Sequence, residues 1–226
     1  DLIIGAPHNF DDFYSGASFV VFGKASGFNA SLPLSTLDGS NGFRLNGVAG
    51  GDAAGQMVSR AGDINKDGFD DLLIGAPLSD VPGLDTGYSY VVFGKASGFG
   101  ATLELSSLDG NNGFRLDGTL DSLTGWSGSS AGDVNGDGFD DLIVGGFRYD
   151  TNGDGHTASY VVFGKASGFS ATFELSSLDG SNGFRLDEGL DVDMSRLMLD
   201  AISNAGDVNG DGFDDLIVGG RKTDTN

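Results

Sequence analysis

Cysteine is absent from the 226 residues, so no disulfide framework, thiolate zinc site or cysteine nucleophile exists. Basic residues are scarce: 12 Lys plus Arg stand against 33 Asp plus Glu, a formal net charge of −21. An acidic surface without a basic cluster repels phosphate backbones and anionic lipid heads, which argues against nucleic acid as a partner. Its natural counter-ions are cations. Long hydrophobic runs are also missing, the longest being about five residues, far short of a bilayer span, so membrane insertion is not expected. No signal peptide is expected in the opening Asp1-Leu2-Ile3-Ile4. Histidine is confined to His8 and His156, which hold no corresponding positions and have no Ser or Asp partners in register, so a catalytic triad is not expected.

Glycine, phenylalanine and repetition are what the chain has. Forty Gly without a Gly-X-Y period imply many turns, and the 38% hydrophobic content is enough for a buried core rather than global disorder. AGDVNGDGFDDLIVGG from Ala131 to Gly146 recurs letter for letter from Ala205 to Gly220, and Ala61 to Ala76 carries the variant AGDINKDGFDDLLIGA. YVVFGKASGF occurs at Tyr90 and Tyr160 and nearly so from Phe19, while LDG(S/N)NGFRL begins at Leu37, Leu108 and Leu178. The period is about 70 residues, which divides the chain into units 1–70, 71–140, 141–214 and a partial 215–226. Twelve of the 17 Phe fall in four repeat columns (Phe22/93/163, Phe28/99/169, Phe43/114/184 and Phe69/139/213), so the aromatic content is mostly repeat core.

The apolar stretches are short, β-branched or aromatic, and bounded by Gly, Asp, Asn and Ser, which predicts strands and no helix. In the third unit strands are expected near Gly128–Gly132, Leu142–Gly145, Ser159–Phe163 and Thr172–Leu175, with Leu178–Asp187 leading into the next unit. Four short antiparallel strands per unit make one blade of a β-propeller, and runs such as Tyr160-Val161-Val162-Phe163 suit strands covered on both faces. The fold class is therefore all-β. Asp1 aligns with Asp71, Asp141 and Asp215, and Asp224-Thr225-Asn226 with Asp150-Thr151-Asn152, so an excised part of a longer array is expected. Closing a three-bladed ring would place Leu216–Gly219 where Leu2–Gly5 already lies, so an open arc is expected instead.

The chemistry sits in an Asp-rich loop of pattern D-x-N-x-D-G-x-x-D. It holds Asp63, Asn65, Asp67, Phe69 and Asp71; then Asp133, Asn135, Asp137, Phe139 and Asp141; then Asp207, Asn209, Asp211, Phe213 and Asp215. A hard cation such as Ca²⁺ takes six to eight oxygen ligands, and alternate side chains on a tightly curled loop can supply them. Gly68, Gly138 and Gly212 permit the turn. The Phe at the seventh position would offer its backbone carbonyl while its ring packs into the core. Asp70, Asp140 and Asp214, at the eighth position, are expected to face solvent or cap a turn. Asp-Gly and Asn-Gly clusters are ordinary turn chemistry, but three crowded carboxylate loops in register repel themselves without a cation. Three Ca²⁺ sites are expected. A helix-loop-helix hand is excluded because its twelfth position would be Ile74, Val144 or Val218 rather than Glu.

An Asp loop between two strands, followed by Leu72-Leu73-Ile74-Gly75-Ala76-Pro77 and then by a V-V-F-G strand, resembles the FG-GAP repeat, the blade of the integrin α-subunit propeller. The YVVFGKASGF and SSLDGSNGFRLDG elements resemble large exported bacterial proteins built from such arrays. The resemblance implies Ca²⁺ bound through the first, third, fifth and ninth side chains and the seventh carbonyl. It also implies an extracellular adhesion, binding or surface-structural module that is not an enzyme. Departures are Gly145-Gly146 and Gly219-Gly220 in place of Gly-Ala-Pro, and Lys66 at the fourth loop position.

Other features carry less. Asp150 to His156 mimics the start of a further loop, but its ninth position is Ala158. Trp126 and Met194 to Leu199 lie in the variable inter-repeat stretch, where binding specificity or filler is expected. The columns Lys24/95/165 and Arg44/115/185 suggest repeated ion pairs or hydrogen bonds within blades. A protein or carbohydrate ligand and self-association through terminal strand edges are the expected partner classes. A hydrolase or lyase on the propeller scaffold and a self-assembling segment of a ring or filament are the alternatives.

Overall fold

A computed structural model describes residues 1–8, 14–81, 84–119, 122–149, 155–187 and 197–222. The strands are β1 (Leu2–Ala6), β2 (Ala17–Val21), β3 (Gly42–Asn46), β4 (Met57–Gly62), β5 (Asp71–Ala76), β6 (Asp80–Val81), β7 (Leu84–Asp85), β8 (Tyr88–Val92) and β9 (Thr102–Glu104). There follow β10 (Gly113–Asp117), β11 (Ser127–Gly132), β12 (Asp141–Tyr149), β13 (Gly155–Val162), β14 (Thr172–Glu174), β15 (Gly183–Asp187), β16 (Leu197–Gly206) and β17 (Asp215–Lys222). Among the described residues the only helical elements are the single 3-10 turns Leu34–Thr36, Leu105–Ser107 and Leu175–Ser177, so none is long and apolar enough to cross a membrane.

The strands sort into blades. One sheet runs β1-β2-β3-β9, the next β4-β5-β8-β10-β14, the third β11-β12-β13-β15, and β16 pairs with β17. Within a blade every neighbour is antiparallel except the outermost strand, because β9 joins β3 and β14 joins β10 in parallel. This corrects the expected strand assignment. The fourth antiparallel strand is the Gly-Phe-Arg-Leu segment, as in β10 and β15, while the Thr172–Glu174 strand crosses to the rim of the preceding blade. A single unit's sequence does not carry this information, since the rim strand's partner lies one period upstream.

Alternation along the central strands explains the stacking. Val91 faces the third blade in a cluster with Leu73, Phe114, Leu142, Val144, Tyr160 and Val162. Its neighbours Tyr90 and Val92 turn the other way, to Val20, Phe43 and Leu45 of the first blade. Ile143 and Val161 continue the pattern towards Ile202. With period-two side chains and a neighbour on each face, an unbroken apolar run is what such a strand requires. Each fully buried Leu, Ile or Val contributes about 1.5–3 kcal/mol.

The Phe columns clip the rims. Phe43 of the first blade stacks on Phe99 of the second at 4.4 Å between ring centres, and Phe114 on Phe169 at 4.8 Å. The Lys24, Lys95 and Lys165 ammonium groups each lie 4.7–5.1 Å from the ring centre of Phe28, Phe99 or Phe169, and among the described residues none of the three pairs with a carboxylate. Arg44, Arg115 and Arg185 likewise lie over Phe19, Tyr88 and Tyr160, and Arg115 adds an ion pair to Asp117. Of the expected repeated ion pairs or hydrogen bonds, the described residues show the Arg115–Asp117 ion pair and a hydrogen bond from the Lys165 ammonium to the Gly168 carbonyl at 3.1 Å.

Near the inner strands the blades approach at backbone distance. A Cβ added at Gly75 would sit 2.0 Å from the Gly125 carbonyl oxygen of the next blade, and one at Gly5 2.0 Å from the Gly55 carbonyl oxygen, which excludes a side chain at either position. The arc is open: β17 shares no sheet with β1.

Candidate cation-binding loops

Each Asp loop joins the innermost strand of a blade to the next strand, after a bulge at Arg60/Gly62, Ser130/Gly132 or Asn204/Gly206. The bulge places a Gly at positive φ, +81° for Gly62 and +71° for Gly132, where an L side chain is strained.

The loop is knit by its own side chains. Asp63 Oδ1 accepts the Asp67 N–H at 3.0 Å and Oδ2 the Gly68 N–H at 2.9 Å. Asn65 Oδ1 accepts the Asp67 N–H at 2.9 Å, and Asp67 Oδ1 the Phe69 N–H at 3.0 Å. The second loop repeats this with Asp133 on Asp137 and Gly138, Asn135 on Asp137 and Asp137 on Phe139. The third does so with Asp207 on Asp211 and Gly212, Asn209 on Asp211 and Asp211 on Phe213. These N–H bonds hold the Asp207 carboxyl below its usual pKa, the Gly212 bond first.

The ninth Asp closes the loop from below. Asp71 Oδ2 accepts the Ile64 N–H at 3.1 Å and Oδ1 the Gly94 N–H at 2.8 Å; Asp141 does the same with Val134 and Gly164. Asp215 accepts from Val208 at 2.8 Å. Asp71 and Asp141 are fully buried. Burial first, and then the charges of the fifth- and first-position Asp, push both carboxyls up to about 7, against the two N–H bonds that lower them.

Two expectations about this region are corrected. The eighth Asp faces solvent at Asp70, as expected, but Asp140 and Asp214 cap the loop of a neighbouring blade rather than a turn of their own. Asp140 Oδ2 accepts the Asp63 N–H at 2.9 Å, and Asp214 Oδ2 the Asp133 N–H at 2.9 Å, each reaching the loop of the preceding blade. The backbone returns the bond, from Asp214 N–H to the Asp133 carbonyl at 3.0 Å. The bulge glycines make room for it: a Cβ at Gly62 would lie 2.4 Å from Asp140 Oδ2. Nor does the seventh ring pack into the core. Phe69 and Phe213 are 40% and 44% exposed. The Phe139 ring lies beneath the Lys66 ammonium, 5.2 Å from the ring centre, and Phe213 lies against Gly136, so the ring covers the fourth residue of the preceding loop. The repeated Asp-Asp doublet was the signal for the inter-blade bond, but its partner is one period away.

Among the described residues no three Asp, Glu or His side chains converge into a ready cluster. The donor set nevertheless fits a hard divalent cation. It consists of oxygens alone, and a carboxylate oxygen that accepts one N–H keeps a second lone pair. Each of the first two loops also holds a buried carboxylate whose nearest charged neighbours in the loop are other carboxylates. Asp63, Asn65, Asp67 and Asp71 would hold the ion in the first loop, with corresponding sets in the others. Bound there, it would neutralise the loop and hold it in one conformation. Asp150 to Asp154 and Met194 to Arg196 lie outside the described residues, and Trp126 is exposed.

The FG-GAP repeat model matches residues 59–92, 124–146 and 201–222, each spanning an Asp loop and its flanking strands. Integrin alpha-V of Gallus gallus is 34% identical over 155 residues, covering 67% of this chain and 14% of the relative. Integrin alpha-6 of Homo sapiens is 31% identical over 134 residues, 58% of this chain and 11% of the relative. Integrin alpha-7 of Rattus norvegicus is 34% identical over 137 residues, again 58% and 11%. The chain thus spans 14% or less of these relatives' length. Strand–Asp-loop–strand units stacked as blades, the three matched repeats and the integrin α likeness agree: the chain carries FG-GAP repeats similar to those of integrin α chains.

Proposed function

We propose that the chain is a non-enzymatic extracellular binding or adhesion module whose blades are rigidified by Ca²⁺ at the three Asp loops. The buried, neighbour-repelled ninth carboxylate carries the reading, because a divalent cation is the simplest group that relieves it. The likeness to integrin α chains supports the adhesion and surface assignment. Extracellular modules bind Ca²⁺ at about 10⁻⁴–10⁻³ M, a range that calcium outside cells can fill. At 100 times Kd each site would add about 2.7 kcal/mol of stability if the unfolded chain does not bind. Calorimetric titration should show calcium heat saturating near three sites, and a thermal melt should fall on adding chelator. Absence of heat together with an unchanged melt overturns the reading.

A further inference from the structure

The Asp loops are bonded to one another through their backbones. Asp140 and Asp214 stand between the seventh-position Phe and the ninth Asp of their own loops, yet their carboxylates serve the preceding loop. Asp140 Oδ2 accepts the Asp63 N–H at 2.9 Å, and the Asp140 N–H reaches back to the Asp63 carbonyl at 3.4 Å. Asp214 makes the same pair of bonds with Asp133, at 2.9 and 3.0 Å. The residue held is in each case the one whose own carboxylate ties its loop: Asp63 binds the Asp67 and Gly68 N–H groups, Asp133 those of Asp137 and Gly138. One residue on, the Lys165 N–H bonds the Ile64 carbonyl at 2.9 Å. These junctions have little slack. A Cβ at Gly62 would lie 2.4 Å from Asp140 Oδ2, and one at Gly132 2.0 Å from Asp214 Oδ2. A Cβ at Gly164 would lie 2.3 Å from the Asp140 carbonyl oxygen and 2.7 Å from that of Ile64.

Consecutive residues thus serve two loops. Asp141 accepts the Val134 N–H of its own loop, while Asp140 accepts the Asp63 N–H of the loop before. We propose that Asp140 and Asp214 are positioning residues that couple neighbouring cation sites, an inference that rests on the three-site reading above. An ion held by the Phe139 carbonyl and the Asp141 carboxylate would fix both neighbours of Asp140, and with them the group that holds Asp63. The first loop then has less conformational freedom to lose when its own ion arrives, so it binds more tightly. By linkage, the ion of the first loop raises the affinity of the second by the same factor. The Asp214–Asp133 bonds extend the coupling to the third loop. Calcium therefore fills the row of loops more steeply than it would fill three independent sites.

The test is a calcium titration of the full chain followed by NMR at the Gly68, Gly138 and Gly212 amides. Each of these donates to the first Asp of its own loop, so every loop reports its own affinity. Asp137→Ala, which removes a ligand from the second loop, should abolish the Gly138 transition and weaken the first loop about fivefold, the low end of such couplings. In the Asp140→Ala background the first loop's affinity should be the same with and without Asp137→Ala, as a broken coupling requires. Asp140→Asn keeps an acceptor oxygen for the Asp63 N–H and should keep the dependence, which separates the hydrogen bond from the charge. A Gly212 transition in each variant reports that it is folded. First-loop affinity unchanged by Asp137→Ala overturns the coupling and leaves the cation reading standing. A dependence on Asp137 that survives Asp140→Ala overturns the role of Asp140. No transition at any loop of the unaltered chain overturns the cation reading and the coupling with it.

Discussion

The Asp140 carboxylate accepts the Asp63 backbone N–H at 2.9 Å, so a side chain of the third blade caps a loop of the second. Asp214 repeats the bond to Asp133, whereas the Asp70 side chain is 62% exposed and faces Arg60 at 3.8 Å. Asp140→Ala leaves the Asp63 N–H without this acceptor and should cost about 1–3 kcal/mol. Asp70→Ala, on an exposed side chain, should stay within about 0.5 kcal/mol. Denaturant melts of the two variants side by side read the difference, and equal losses would count against the inter-blade bond.

Gly75 touches the next blade at backbone distance, where no flexible side chain can yield. Gly75→Ala should destabilise by about 3 kcal/mol, lowering Tm by roughly 6–12 °C. Gly98→Ala, whose added Cβ meets nothing within 4 Å although its φ of +82° strains any L residue, separates backbone strain from the clash and should cost less.

Ser18, Ser89 and Ser159 occupy one repeat column, and their buried hydroxyls have no hydrogen-bond partner among the described residues. Ser89→Ala removes an unsatisfied polar atom from a fully buried position and should raise stability by about 1 kcal/mol. A fall in the denaturation midpoint would show that an ordered water satisfies the hydroxyl.

In the chelated protein, Asp71 and Asp141 titrate at about 7 when folded and near 3.8 when free. The folded state therefore binds more protons between these values, and stability present below about 4 is lost as pH rises through 7. Chelated protein should melt higher at pH 5 than at pH 7.5. Asp141→Asn should flatten the slope, and saturating Ca²⁺ should reduce it because cation and proton compete for the same oxygens. A slope indifferent to both changes would place the titration elsewhere.

The central strands and the loops were legible because their signals are local. Tyr160 to Phe163 reads as a doubly covered strand, and Asp133 to Asp141 as one curled loop. What escaped the sequence depends on a partner about 70 residues away. Thr172 to Glu174 has the alternation of a strand wherever it pairs, and only the Arg115, Leu116 and Asp117 backbone decides that it pairs with the preceding blade. Asp140 and Phe139 read as loop surface until the preceding loop is placed against them. The Lys95 column looked like charge pairing because the ring of Phe99, four residues on, is a weaker textual cue than an acid.

The crossed rim strand has an evolutionary consequence. The second unit gives β9 to the first blade, and its own β10 receives β14 from the third. A duplication or loss of one whole period, wherever its breakpoints fall, therefore leaves each interior donor opposite an acceptor of nearly the same sequence, Gly-Phe-Arg-Leu in both β3 and β10. Arrays of this kind can change length by recombination between near-identical copies, such as Ala131–Gly146 and Ala205–Gly220, without redesigning any interior junction.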